Sequence, residues 1–146
     1  MPSVDAGTPG PVSGGFSPCF NFAGPPFRAG PNTIIIFNVT ATFTGTFTGA
    51  AILTERDVIH PDGSITFHGS GVYTDQSGCG TFLVTYSGKG SAVTASESAH
   101  FVGGRGTGCF AGLHTEGTFQ GNLVGASAGC AVAGAGTYNG QILFAP

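Results

Sequence analysis

Tryptophan is absent from this chain, methionine occurs once, and only four residues are basic: Arg28, Arg56, Lys89 and Arg105. These four are scattered, whereas nucleic-acid binding needs Lys and Arg clustered against phosphate, so nucleic acid is not an expected partner. The same scarcity removes a polybasic membrane patch. Long apolar runs are missing as well. The longest β-branched cluster, Thr33 to Val39, falls far short of the ~20 apolar residues of a spanning helix, and no membrane insertion is expected. The opening Met1-Pro2-Ser3-Val4-Asp5 has neither the basic start nor the apolar stretch of a signal peptide.

What the chain does have is cysteine, in a number that permits two disulfides: Cys19, Cys79, Cys109 and Cys130. No Cys-x-x-Cys pair is present, which disfavours both a zinc site and a thioredoxin-like redox motif. Cys79 and Cys109 each sit beside a glycine at an expected strand start and are the preferred pair, which leaves Cys19 to join Cys130. All three connectivities stay open on the sequence. An even cysteine count with few charges points to a secreted or cell-surface protein whose leader is not part of this chain.

Proline divides the sequence, since seven of the nine lie in residues 1 to 31. Mixed there with Gly and Ser, they suggest an extended arm over residues 1–31 without ladder hydrogen bonds of its own. Residues 32–146 form the expected single domain, in which β-branched and aromatic runs are broken by glycine and no helical period appears. The fold class is all-β.

The clearest run, Thr33 to Thr48, places Ile35, Phe37, Val39, Ala41, Phe43 and Phe47 on one face and Asn38 with a series of threonines on the other. A second run, Ala50 to Ile59, meets Ser64 to Thr74 through His60-Pro61-Asp62-Gly63, where proline and glycine suit a type I turn with a bulge. Further strands are expected at Thr81 to Tyr86, Ala92 to Val102, Leu113 to Val124 and Thr137 to Phe144, with a tight turn at Asn139-Gly140. Periodicity alone does not separate a sandwich from a closed barrel.

Buried polar side chains are the natural place to look for chemistry. Glu55 and Asp57 share parity with Leu53 and Ile59, and Glu97 with Val93 and Phe101. Tyr73 follows Ile65 and Phe67, and Tyr86 follows Phe82 and Val84. Glu55, Tyr73 and Glu97 are therefore the candidate catalytic residues. Phe43, Phe47, Phe67, Phe82, Tyr86 and Phe101 are the expected ligand contacts, with Arg56 as an anion contact. Glu55-Arg56-Asp57 equally suits a solvated strand edge. The histidines, His60, His68, His100 and His114, are dispersed and mark no metal site.

The stretch Arg105 to Phe119, R-G-T-G-C-F-A-G-L-H-T-E-G-T-F, resembles the signature of the allene-oxide-cyclase-like barrels, closest to a bacterial branch of unknown function. Phe43 to Gly49, Glu55, Pro61 to Ser64 and Phe67-His68-Gly69 fit the same pattern, so the resemblance covers roughly Thr40 to Phe119. It departs at the N-terminal arm, the four cysteines and residues 125–136. The resemblance implies a single antiparallel β-barrel with the arm appended. It also implies a cofactor-free apolar cavity that binds a small apolar molecule, with cyclase or isomerase chemistry as one outcome. The alternative is an exported structural protein that associates with itself, through the arm or through the uncharged strand Thr40 to Thr48.

Overall fold

The computed structural model describes residues 7–145. The described chain forms nine strands. These are β1 (Gly10–Phe22), β2 (Phe27–Ala29), β3 (Asn32–Phe43), β4 (Gly49–Ile59), β5 (Ser64–Asp75), β6 (Thr81–Ser91), β7 (Ser96–Gly104), β8 (Leu113–Ser127) and β9 (Cys130–Phe144). From β3 to β9 each strand pairs antiparallel with the next, and β1 then inserts between β9 and β3. Eight strands close into a barrel, and β2 lies outside against the start of β3.

Closure corrects the reading of residues 1–31 as an arm. Its central part, β1, is a full barrel strand, with Phe16 opposite Phe43 on one side and Gly136 on the other. Proline leaves its mark locally. The β1–β9 register lapses at Ser17 and Pro18 and resumes at Cys19 opposite Ala133, since Pro18 has no N–H to donate. The first six residues of the expected arm lie outside the described residues.

Three smaller expectations also change. The strand from Thr33 ends at Phe43, and residues 44–48 turn back so that Phe47 drops into the barrel, 4% exposed. Tyr138 holds that turn: its hydroxyl accepts from the Phe47 N–H at 2.9 Å and donates to the Thr44 carbonyl at 2.7 Å. Asn139-Gly140 is no turn but part of β9, opposite Thr118 and Gly117. The Thr40 strand has no free edge, because β1 and β4 flank it. By contrast, the turn at 60–63 forms as expected, with the Gly63 N–H donating to the His60 carbonyl and Gly63 at φ +87°.

Alternation places most apolar side chains inside and most Thr, Ser, Asn and charged residues outside, the reverse of a membrane-spanning barrel. Glu55, Asp57 and Glu97 face inward, and Ile52, Val72 and Leu83 face outward. An eight-stranded barrel has a narrow lumen that side chains fill unless small residues intervene. Here inward glycines face inward aromatics across the ladders: Gly136 opposite Phe16, Gly14 opposite Tyr138, Gly117 opposite Phe101 and Gly69 opposite Tyr86.

The two ends of the barrel differ. At one end Phe47, Tyr73, Phe82, Phe110 and Tyr138 interlock, with ring centroids 4.7 Å apart for Tyr73 and Phe82 and 5.2 Å for Phe82 and Phe110. Phe110, fully enclosed, is delivered by the 3-10 turn Gly108–Phe110, which the Cys79–Cys109 disulfide ties to the loop after β5. At the other end Cys19–Cys130 joins β1 to the start of β9. Both pairings are the expected ones, and such disulfides fit an extracellular protein. Among the described residues no helix is long and apolar enough to cross a membrane.

Candidate functional site

Between the aromatic plug and the opposite end the barrel keeps two neighbouring spaces that share Phe20, Glu55 and Glu97 in their walls. The deeper is a cavity of about 80 Å³ walled by Phe16, Phe43, Phe47, Phe82, Phe101 and Tyr138, among others. The outer, about 260 Å³, is lined by Phe20, Phe37, Ile59, Ile65, Phe67 and Val132 and lies at the end formed by the turns after β4 and β6. Glu55 and Glu97 border both spaces, and Asp57 borders the outer one. The polar side chains therefore form a waist between two apolar compartments.

Parity explains how they arrive there. On β4, residues 51, 53, 55, 57 and 59 face inward, so a strand that carries Ala51 and Leu53 into the core also carries Glu55 and Asp57. Glu55 is 4% exposed, and Tyr86 on β6 donates a 2.8 Å hydrogen bond to its Oε1. Glu97 on β7 enters from the next strand but one after β5. Asp57, on the correct parity yet absent from the candidates, completes the group. Its Oδ1 is enclosed and has no hydrogen-bond partner.

Burial dominates the electrostatics. Desolvation first, then hydrogen bonding to Asp57 and the charge of Asp57, push the Glu55 carboxyl up to about 10, while the Tyr86 hydrogen bond opposes this and Glu97 adds to it. Glu97 is pushed up to about 7 by burial and by Asp57. Burial also raises Asp57. Tyr86 is raised strongly by burial and by Glu55, so it stays a neutral donor. At neutral pH Glu55 thus holds a proton inside an aromatic wall, the state in which a carboxyl can donate to a ligand oxygen or nitrogen.

The other candidates separate by position. Phe43, Phe47, Phe82, Tyr86 and Phe101 line the deeper space and Phe67 the outer one. Tyr73 faces inward but belongs to the plugged end, where its hydroxyl donates to Asp75 Oδ1 at 3.0 Å. It does not join the carboxyl group. Arg56 points outward, in a row with His68, Ser87 and His100 across β4 to β7. Even spacing put it there: the residue between two inward positions faces solvent, so it is no contact for an interior ligand.

The waist depends on Gly69. A Cβ at that position would lie 2.4 Å from the Tyr86 ring and 2.9 Å from the Thr54 carbonyl. Gly69→Ala is expected to displace the Tyr86 ring, break its bond to Glu55 and cost about 1–3 kcal/mol in denaturant unfolding. Unchanged stability together with an unshifted Tyr86 hydroxyl would contradict this placement.

The fold and site define a closed antiparallel barrel with an apolar interior and a buried carboxyl group. The chain matches no family model and no curated protein.

Proposed function

We propose that this is an exported barrel that binds a small, largely apolar molecule in its interior, without a cofactor. The observation that carries this is the pair of aromatic-walled spaces inside the barrel, which meet at the Glu55–Asp57–Glu97–Tyr86 waist. Apolar walls with a few convergent polar groups are the usual composition of a small-molecule site. The outer volume, about 260 Å³, suits one ring and the deeper, about 80 Å³, only a short chain, since an apolar cavity of ~150 Å³ accommodates a benzene.

A second reading is favoured by the proton held on Glu55. In a dry cavity that proton can be given to an oxygen or nitrogen on which charge develops, and restriction of the ligand by the surrounding rings would favour ring closure or isomerisation. The resemblance to the cyclase-like barrels supports the same reading.

The test is titration with the neutral probe 4-phenylbutan-1-ol, followed by calorimetry and by ring-proton shifts of Phe16, Phe43 and Phe101. Saturable binding with a Kd on the order of 0.1 mM is expected. An absence of heat and of shifts at millimolar probe would sink the interior-site reading.

A further inference from the structure

We propose that the ligand is a lipophilic amine whose protonated nitrogen sits among Glu55, Asp57 and Glu97. The proposal rests on the interior-site reading above and names the chemistry that site takes. Three carboxyl groups converge at the waist, yet all four Lys and Arg side chains, Arg28, Arg56, Lys89 and Arg105, are exposed on the outside. The interior therefore holds three acids and no Lys or Arg; the proton on Glu55 relieves part of their repulsion, and a positive group would relieve the rest.

Two independent features point to what arrives. Asp57 is hydrogen-bonded by the Glu55 carboxyl, but no N–H or alcohol group reaches its enclosed Oδ1. The Tyr86 hydroxyl is committed to Glu55, and the remaining wall is almost wholly aromatic and aliphatic. An ammonium group brings three N–H donors in a small volume, enough for Asp57 and a second carboxyl together. A neutral alcohol brings one donor, and a carboxylate ligand would be repelled. The second feature is aromatic. Phe67, Tyr86 and Phe119 cluster beside the waist, with centroids 6.3 Å apart for Phe67–Tyr86, 5.7 Å for Tyr86–Phe119 and 6.5 Å for Phe67–Phe119. Ring faces around a site for positive charge add cation–π attraction. The apolar part of the amine then has two directions to extend, inward to the plug or outward to Phe20 and Phe37.

The experiment compares 4-phenylbutylamine, 4-phenylbutan-1-ol and 4-phenylbutyrate by calorimetry at pH 7, on the full chain and on an Asp57→Asn/Glu97→Gln double variant. The amine is expected to bind the native protein about tenfold or more tightly than the alcohol, the scale of one charge-assisted hydrogen bond, and the carboxylate more weakly than either. In the double variant the amine-to-alcohol ratio should shrink to within about threefold, on the same reasoning. Alcohol binding equal to or tighter than amine binding would overturn the amine assignment and leave the interior site standing. A preference for amine that survives in the double variant would place the attraction elsewhere and overturn it too. If none of the three probes binds, the interior site itself falls and this inference with it.

Discussion

Glu55→Gln is expected to stabilise this protein at pH 8 by on the order of 3 kcal/mol and to flatten its dependence on pH. The folded chain holds the Glu55 proton up to about pH 10, whereas an unfolded chain gives it up near 4.5. Between those values the folded state binds more protons than the unfolded one, so stability is greatest on the acid side and declines as pH rises. Asp57 and Glu97, both raised by burial, act in the same direction. Asp62 and Asp75 have lowered values, and their stabilisation is lost only as pH falls below the usual aspartate range. The window from pH 5 to pH 8 thus isolates the buried group. Across it the native protein should lose about 5–10 °C of melting temperature, given roughly 2–4 °C per kcal/mol for a chain of this size. Gln keeps an acceptor for the Tyr86 hydroxyl and replaces the proton with an amide donor, so the variant should lose much of that slope. A native melting temperature that climbs from pH 5 to pH 8 would show that Glu55 is ionised in the folded state.

The second large effect is at the seam where β1 closes the barrel. Replacing Cys19 and Cys130 together by alanine opens a link between residues separated by 111 positions, while Cys79–Cys109 spans 30. In the chain-entropy account these links contribute about 4–5 and 3–4 kcal/mol respectively. The Cys19/Cys130 variant is expected to melt lower than the Cys79/Cys109 variant and to lose exchange protection first in β1. Asn21 supplies the local reason. Its side chain donates to the Gly129 carbonyl at 3.0 Å and accepts from the Ala131 N–H at 3.0 Å, clasping the β8–β9 hairpin beside the disulfide. Protection lost evenly around the barrel would argue that the seam is no weaker than the other ladders.

Much of this arrangement was readable from parity alone. The inward sets of β3 and β4, the turn at 60–63 and the core positions of Tyr73 and Tyr86 follow from strict alternation, which is hard to disguise when one face is apolar. Parity also carried Asp57 inward, but its bracketing of exposed Arg56 made the trio look like a solvated edge. β1 was missed for a different reason. Pro11, Pro18 and the glycines at 10, 14 and 15 argue against a strand locally, while Val12, Phe16 and Phe20 at even spacing carry the true signal. Long-range pairing with β3 and β9 overrode local preference, and such pairing has no local trace in sequence. Phe110 was hidden similarly: it fills the plug from a loop, where no periodicity applies.

Because β1 pairs with β9, the first and last strands of the described chain lie side by side, Gly10 opposite Ile142. During synthesis β1 emerges early and can pair with β3, but it must wait for β9 before its other ladder can form, a contact of very long sequence range. A circular permutant that joins residue 144 to residue 10 by a short linker and opens in the loop before β3 would turn the β1–β9 contact into an ordinary hairpin and make β1–β3 the contact that closes the barrel. The barrel and its waist would be unchanged, but the seam would move to the β1–β3 ladder, so the strand pair that gains exchange protection last during refolding should move with it.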